Sequence, residues 1–163
     1  MKKIMCLMML ALMLQSCAAQ EVFETVDDEY VQVMLPAAAR ISLHLPDEQA
    51  QAVMENDANQ IIYLYEDFSV CIEIASAGSI GQTLKDVTGF ELENLTVMQT
   101  MSDGCRRYQC AWSSVGENGD QVGRACVLDD GYYHYVITVM GGEDAAGEKT
   151  AVWQDLLDSF DIY

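Results

Sequence analysis

The chain has 163 residues, 51% of them hydrophobic, and its 26 acidic and 8 basic side chains give a net charge of −18. This length and apolar content suit one domain with a substantial core. The negative charge repels nucleic acid and anionic lipid head groups, so neither is expected as a surface partner. The sequence contains no Walker A loop, dinucleotide fingerprint or G-x-S-x-G elbow, so these signatures of nucleotide binding and serine hydrolysis are excluded.

The first residues predict a secretory signal peptide. Lys2 and Lys3 form a short positive region, and an apolar run of eleven residues follows from Ile4 to Leu14. Eleven helical residues would cover only about half of a ~30 Å hydrocarbon core, which is too little for a membrane-spanning helix. A short apolar run behind a positive N-terminus is instead typical of an export signal.

The end of this run, Leu14-Gln15-Ser16-Cys17, resembles the lipobox of bacterial lipoproteins. The resemblance implies removal of the signal peptide, residues 1–16, and attachment of diacylglycerol to the Cys17 thiol. It also implies a protein of the bacterial cell envelope that is anchored to a membrane and exposed outside the cytoplasm. Two or three acyl chains are enough for stable anchoring. The alternative is an ordinary secreted protein that is cleaved near Ala18-Ala19.

Removal of residues 1–16 changes the charge of the chain that folds. Lys2 and Lys3 are lost and no acid is lost, so 6 basic and 26 acidic side chains remain, a net charge of −20. Residues 17–29 lack hydrophobic periodicity and are rich in acids, which predicts an extended acidic tether. Residues 30–163 then form a single domain.

The first half of this domain has short strands and helices. Alternating and helical hydrophobic patterns predict a strand over 40–45, a helix over 47–55, strands over 61–65 and 68–74, and a helix from 79 to 89. Ser79-Ile80-Gly81-Gln82 has the pattern of a capping box, which marks the start of the second helix.

The second half begins with four consecutive strands and no intervening helix. The strands are predicted near 94–101, 106–115, 121–129 and 132–140. Their joints are rich in Gly, Asp and Asn, as in Asp129-Asp130-Gly131, so the strands form an antiparallel meander. The last strand carries apolar residues on both faces, which indicates a central strand that is covered on each side.

The chain closes with an amphipathic helix. Its apolar residues Trp153, Leu156, Leu157 and Phe160 recur at helical spacing and predict a buried stripe. Together these elements predict an α+β fold, in which helices pack on the faces of an antiparallel sheet of about 6–7 strands.

This order of elements resembles the PsbP-like fold. The segments that carry the resemblance are ISLHLP at 41–46, YYHYVITV at 132–139 and LLDSF at 156–160. The resemblance covers roughly residues 39–160 and implies an α-β-α sandwich that serves binding or assembly rather than catalysis. It brings no catalytic or ligand-binding residues with it.

An exported protein with an even number of cysteines favours disulfide bonds. If Glu117, Asn118 and Gly119 form a three-residue loop, residues 116 and 120 pair, and Cys110 then lies opposite Cys126. The same register places Trp112 opposite Arg124, within reach of a cation–π contact. A two-residue turn would shift the register by one and put the two sulfur atoms on opposite faces.

A second disulfide, between Cys71 and Cys105, is compatible with the predicted faces of their strands. The alternative for all four cysteines of the predicted domain is that they are reduced, buried thiols. These four are Cys71, Cys105, Cys110 and Cys126. A redox-active pair is disfavoured because no C-x-x-C motif is present to lower a thiol pKa.

The remaining candidates for chemistry are few. His134 is predicted to be a half-buried strand residue, with His44 in another strand, and catalysis by either has little support. Asp129-Asp130-Gly131 could offer oxygen ligands to calcium, but it lacks the spacing of an EF-hand loop and is explained as a hairpin turn. The aromatic residues are expected in the core rather than in a ligand groove, namely Tyr108, Trp112, Tyr132, Tyr133 and Tyr135. No cofactor, metal or catalytic residue is predicted.

The sequence therefore favours a non-catalytic envelope lipoprotein that binds a protein partner or a small ligand through its sheet domain. One alternative is an envelope enzyme that uses His134 with carboxylates. A pocket joining His134 to at least two carboxylates would favour it, and a histidine packed under a helix would count against it. The other alternative is a structural component of the envelope.

Overall fold

The computed structural model describes residues 23–26, 30–33, 40–46, 51–53, 59–102, 104–116 and 119–163. The strands within these ranges are β1 (Phe23–Val26), β2 (Tyr30–Val33), β3 (Ile41–His44), β4 (Gln51–Val53), β5 (Gln60–Leu64), β6 (Phe68–Ser76), β7 (Val97–Ser102), β8 (Cys105–Gly116), β9 (Gly119–Asp129), β10 (Tyr133–Gly142) and β11 (Asp161–Ile162). The helices are α1 (Ile80–Thr88), α2 (Glu143–Glu148) and α3 (Thr150–Ser159), with a 3₁₀ turn at Leu92–Asn94.

The main sheet is antiparallel and has the strand order β4-β5-β6-β10-β9-β8-β7. Strand β10 lies at its centre, between β6 and β9. Its residues Tyr135, Ile137 and Val139 are buried on one face, and Val136 is buried on the other. The predicted central strand is therefore confirmed, and its apolar residues on both faces explain why helices must cover both sides.

The larger core lies on the face covered by α2 and α3. Trp153, Leu156, Leu157 and Phe160 are buried in it, which confirms the predicted stripe. A second sheet, with the order β1-β2-β3-β11, contributes Ile41 and Leu43 of β3 to the same core.

The smaller core lies on the opposite face, beneath α1. Leu84 of α1 is fully buried against a group of side chains from the central strands, namely Tyr108, Cys110, Trp112, Ala125, Val127 and Val136. The helix ends at Gly89 with φ of 78°, a conformation that favours glycine. Ser79 is the N-cap but its side chain makes no capping hydrogen bond, so that detail of the capping-box prediction is wrong. With helices on both faces of the sheet, the predicted α+β sandwich is confirmed.

The predicted helix over 47–55 is wrong where the structure describes it. Gln51–Val53 form strand β4, which pairs with the edge of β5 through Ala52 opposite Tyr63. Pairing with β5, the next strand along the chain, overrides the weak helical periodicity of this segment. Residues 47–50 and 54–58 lie outside the described residues.

The N-terminal predictions fall mostly outside the described residues. The signal peptide over 1–16 and the anchor Cys17 are among them. Within the predicted tether, Phe23–Val26 form β1 and pair with β2, so these four residues differ from the unpaired segment predicted over 17–29. Among the described residues, none of the helices has the length and apolar character that crossing a membrane requires.

The register between β8 and β9 differs from the prediction by one residue. Gly116 pairs with Gly119, so Cys110 lies opposite Ala125 and not opposite Cys126. Trp112 lies opposite Gly123, and the predicted contact with Arg124 does not form. A Cβ atom at residue 123 would overlap the Trp112 ring, so the indole requires glycine at this position and this register supplies it.

Candidate functional site

A cleft of about 400 Å³ opens at one end of the sheet, and its walls are Ser76, Asp130, Tyr132 and Tyr133. Ser76 ends β6 and lies opposite Tyr133 at the start of β10. Asp130 and Tyr132 belong to the turn that joins β9 to β10. The cleft therefore depends on the pairing of the central strands and on the conformation of one turn.

Aspartate side chains hold this turn in place. Asp129 Oδ1 accepts a hydrogen bond from Gly131 N at 2.8 Å, and Gly131 has φ of 90°. Asp130 Oδ1 accepts from Tyr132 N and Tyr133 N, both at 2.7 Å, and Asp130 Oδ2 accepts from the Tyr135 hydroxyl at 2.9 Å. The interpretation of Asp129-Asp130-Gly131 as a turn is confirmed, since these carboxylates cap backbone N–H groups.

The Asp130 carboxylate is ionised at neutral pH. Burial raises its pKa, but the hydrogen bonds from Tyr133 N, Tyr132 N and the Tyr135 hydroxyl together outweigh burial and lower the pKa below its ordinary value. The cleft thus presents a fixed negative charge.

The tyrosines of this region divide between the core and the cleft. Tyr135 is fully buried, and Tyr108 and Trp112 are buried in the smaller core, as predicted. Tyr132 is 80% exposed, so its predicted core position is wrong. Tyr133 is half-buried, and its ring centroid lies 6.2 Å from that of Tyr135. The sequence signal for the cleft was the pair of adjacent tyrosines, Tyr132 and Tyr133, after a turn. Strand alternation alone assigns adjacent residues to opposite faces, so this pattern did not predict that both line one cleft.

His134 lies under helix α1 and outside the cleft. It is 1% exposed, its Nδ1 lies 2.7 Å from Thr83 Oγ1 of α1, and its Nε2 lies 3.9 Å from Asp129 Oδ1. It is thus more deeply buried than the half-buried position predicted. This is the arrangement that counts against the enzyme alternative, because a buried imidazole beneath a helix has no access to a substrate.

His44 and Ser159 do not form a nucleophilic pair. His44 Nδ1 lies 3.0 Å from Asp155 Oδ2, but Ser159 Oγ accepts from the backbone N of His44 at 3.0 Å and donates to Leu156 O at 3.1 Å. The hydroxyl therefore joins the end of α3 to β3, a structural contact. Among the described residues, no three His, Cys, Asp or Glu side chains come together as metal ligands.

In the described part of the chain, Cys71, Cys105, Cys110 and Cys126 are reduced and form no disulfide, so neither predicted disulfide is present there. Cys126 is buried in the larger core and Cys110 in the smaller one, on opposite faces of the sheet. Cys71 on β6 and Cys105 on β8 are separated by β10 and β9, which places them at least roughly 14 Å apart, beyond the reach of a disulfide. The alternative of reduced thiols is the one that the structure matches.

We expect the thiols to react in two classes. Burial raises the pKa of Cys110 to about 11 and that of Cys126 to about 12, so neither forms thiolate at pH 8. Both should react at least ~10-fold more slowly with the thiol reagent DTNB than the half-buried Cys71 and Cys105. Burial and the Asp130 charge also raise the pKa of Cys105, so we expect Cys105 to react more slowly than Cys71. All four should react quickly in urea. A Cys110–Cys126 bridge in non-reducing peptide maps would contradict the strand register.

Glu73 gives a second measurable consequence of burial. Burial raises its pKa above the ordinary value, a hydrogen bond from Gln60 Nε2 at 3.2 Å opposes this shift, and the Asp86 charge adds to it. Because the pKa of Glu73 is raised in the folded state, the protonated carboxyl group stabilises the fold. This contribution is complete below the pKa of Glu73 in the unfolded state, and it is lost as pH rises through the pKa in the folded state.

We therefore expect Glu73→Gln to increase the free energy of unfolding at pH 7.5, and the gain to shrink as pH falls toward 4.5. Urea titrations at several pH values measure this difference. Asp120→Asn, at an exposed site, is the matched control and should show no such trend. An equal gain at every pH would contradict the role of Glu73 ionisation.

Comparison with known proteins gives similarity of fold. No protein-family model matches the chain, and neither does a curated protein sequence. The solution structure of cyanobacterial PsbP (CyanoP) from Synechocystis sp. PCC 6803 superposes with a TM-score of 0.62 at 14% identity, over 92% of this chain and 99% of that chain. The fold is PsbP-like.

Two further structures that match this fold come from other organisms. LpqN of Mycobacterium tuberculosis has a TM-score of 0.53 at 11% identity, over 82% of this chain and 90% of that chain. The Ran-binding protein Mog1p of Saccharomyces cerevisiae has a TM-score of 0.50 at 13% identity, over 82% of this chain and 95% of that chain. At these identities the similarity establishes the architecture of the PsbP-like domain and transfers no site residue.

Proposed function

We propose that this protein is a membrane-anchored extracytoplasmic lipoprotein that binds a small ligand or a protein partner without catalysing a reaction. The cleft beside Asp130 is the observation that carries the binding proposal. It combines a fixed carboxylate, the Ser76 hydroxyl and two tyrosine rings, a mixture of apolar walls and few polar groups that is typical of ligand sites.

The fold relatives support a role in the envelope and in binding. LpqN is described as involved in cell envelope biogenesis, and Mog1p is described as a Ran-binding protein. The lipobox at Leu14-Gln15-Ser16-Cys17 supplies the anchor in this proposal. Lipid attached to Cys17 would hold the acidic domain close to a membrane surface. The negative charge of the domain would keep the domain itself from entering that surface.

The anchor is tested by labelling growing bacteria with radioactive palmitate. We expect label in the wild-type protein, none in Cys17→Ala, and unchanged label in Cys71→Ala, a matched control at a half-buried thiol. Absence of label from the wild-type protein would overturn the proposed localisation.

The binding proposal is tested by pull-down from membranes with the lipidated wild type, Cys17→Ala and Tyr132→Ala. Tyr132 is 80% exposed, so its truncation leaves the core intact. We expect captured molecules to be lost with Tyr132→Ala and retained with Val115→Ala, a control at a side chain that is 88% exposed elsewhere. Equal capture by all variants would instead support the structural alternative.

A further inference from the structure

We propose that the cleft beside Asp130 binds a small organic cation, a ligand whose ammonium group sits on the Asp130 carboxylate between the rings of Tyr132 and Tyr133. This inference rests on the proposed function and adds the chemical class of the ligand. It follows from three separate features of the cleft: its charge, its remaining hydrogen-bond capacity and its aromatic walls.

The charge of the cleft is negative. Asp130 is the carboxylate of the lining, and among the described residues no Lys or Arg lines the cleft. The neighbouring Asp129 has Arg106 Nη1 at 3.6 Å, whereas within the described ranges Asp130 forms no ion pair. An added cation would therefore neutralise a charge that the fold leaves uncompensated.

The hydrogen bonds of Asp130 leave room for one more donor. A carboxylate offers about four acceptor positions. Oδ1 accepts from two backbone N–H groups, and Oδ2 accepts from the Tyr135 hydroxyl. Oδ2 accepts only one of the three hydrogen bonds that reach Asp130 from other residues, so an ammonium N–H can donate to this oxygen as well. The three existing bonds fix the carboxylate before the ligand arrives, so little conformational freedom is lost on binding.

The walls of the cleft suit a cation rather than an anion. The faces of aromatic rings carry negative potential and attract ammonium groups. Tyr132 is 80% exposed although its ring is large and apolar, and Tyr133 is kept in position by its contact with Tyr135, at 6.2 Å between ring centroids. The net charge of −18 further raises the local concentration of cations and lowers that of anions.

The test is an NMR titration of the Cys17→Ala chain, which carries no lipid, with n-butylammonium. Butyrate and n-butanol serve as probes with the same carbon skeleton and without the positive charge. We expect saturable amide shifts at residues 130–133 with n-butylammonium alone. Asp130→Asn should weaken binding at least ~10-fold, because the amide removes the charge and replaces the acceptor Oδ2 by an N–H donor. It keeps both acceptor bonds of Oδ1, and the Tyr135 hydroxyl can turn to accept from the new N–H group. Tyr132→Ala should weaken it about threefold through loss of the cation–π contact.

Asp120→Asn provides the matched control, because it removes the same charge at an exposed site on β9. Equal weakening by Asp120→Asn and Asp130→Asn would overturn the proposal in favour of a general charge effect. Equal shifts with butyrate, stronger shifts with magnesium chloride, or no shifts with n-butylammonium would also overturn it. These outcomes leave palmitate labelling and membrane pull-down untouched, so failure here is distinguishable from failure of the proposed function.

Discussion

Replacement of Trp153 by alanine should lower the free energy of unfolding by about 3–5 kcal/mol, the range measured for large aromatic truncations in cores. Trp153 is fully buried at the centre of the larger core, and its ring lies 6.1 Å from that of Phe68 between centroids. It also packs close to Gly141, where a Cβ atom would lie 3.2 Å from Trp153 Cζ2. Urea unfolding followed by far-ultraviolet circular dichroism measures the change.

Trp153→Phe is the informative companion. Within the described part of the chain, the buried indole N–H of Trp153 makes no hydrogen bond, so phenylalanine removes a polar group that costs stability when unpaired. We expect Trp153→Phe to lower the free energy of unfolding by less than half as much as Trp153→Ala does. Some loss remains because the smaller ring leaves part of the volume empty. A loss below 1 kcal/mol for Trp153→Ala would show that the larger core does not depend on this residue.

Replacement of Arg107 by alanine should cost about 2–3 kcal/mol, the scale of hydrogen bonds made by charged groups. Arg107 Nη1 donates to Leu157 O at 3.0 Å, and Nη2 donates to Phe160 O. Both carbonyls lie at the C-terminal end of α3, where the helix leaves acceptors unpaired and a positive charge is favourable. Strand β8 thereby holds the last helix onto the sheet.

Arg107→Lys tests the geometry of this contact. Lysine keeps the charge but lacks the planar guanidinium group that donates to two carbonyls at once. We therefore expect Arg107→Lys to recover less than half of the stability that Arg107→Ala loses. Arg124→Ala is the matched control on the neighbouring strand and should change stability by less than ~0.5 kcal/mol. Similar losses for Arg107→Ala and Arg124→Ala would mean that general charge, rather than helix capping, explains the effect.

Regular patterns predicted the central part of this fold well. Alternation identified β6 and the meander from β7 to β10, and helical spacing identified the stripe of α3, because each pattern reports burial against the sheet. The segment 51–53 failed for the opposite reason. Its strand conformation arises from pairing with β5, an interaction that no local pattern contains.

The register of β8 and β9 shows how a small error spreads. The observed register differs by one residue from the predicted one. This difference places Cys110 and Cys126 on opposite faces and rules out the predicted disulfide between them. The complementary sizes of Trp112 and Gly123 were the sequence signal that could have selected the observed register. The cleft was not predictable in the same way, because it depends on how a turn presents Tyr132.

The pairing of β11 with β3 has a consequence for when this domain folds. Residues 161–162 pair with β3, which begins at Ile41, and α3 supplies three buried side chains to the same core. Contacts this distant along the chain must wait for closure of a long loop. We therefore expect the larger core to be complete only after residues 150–163 have been synthesised. A polypeptide that folds late in this way can still pass through a translocation channel, which is compatible with the export signal that the sequence predicts.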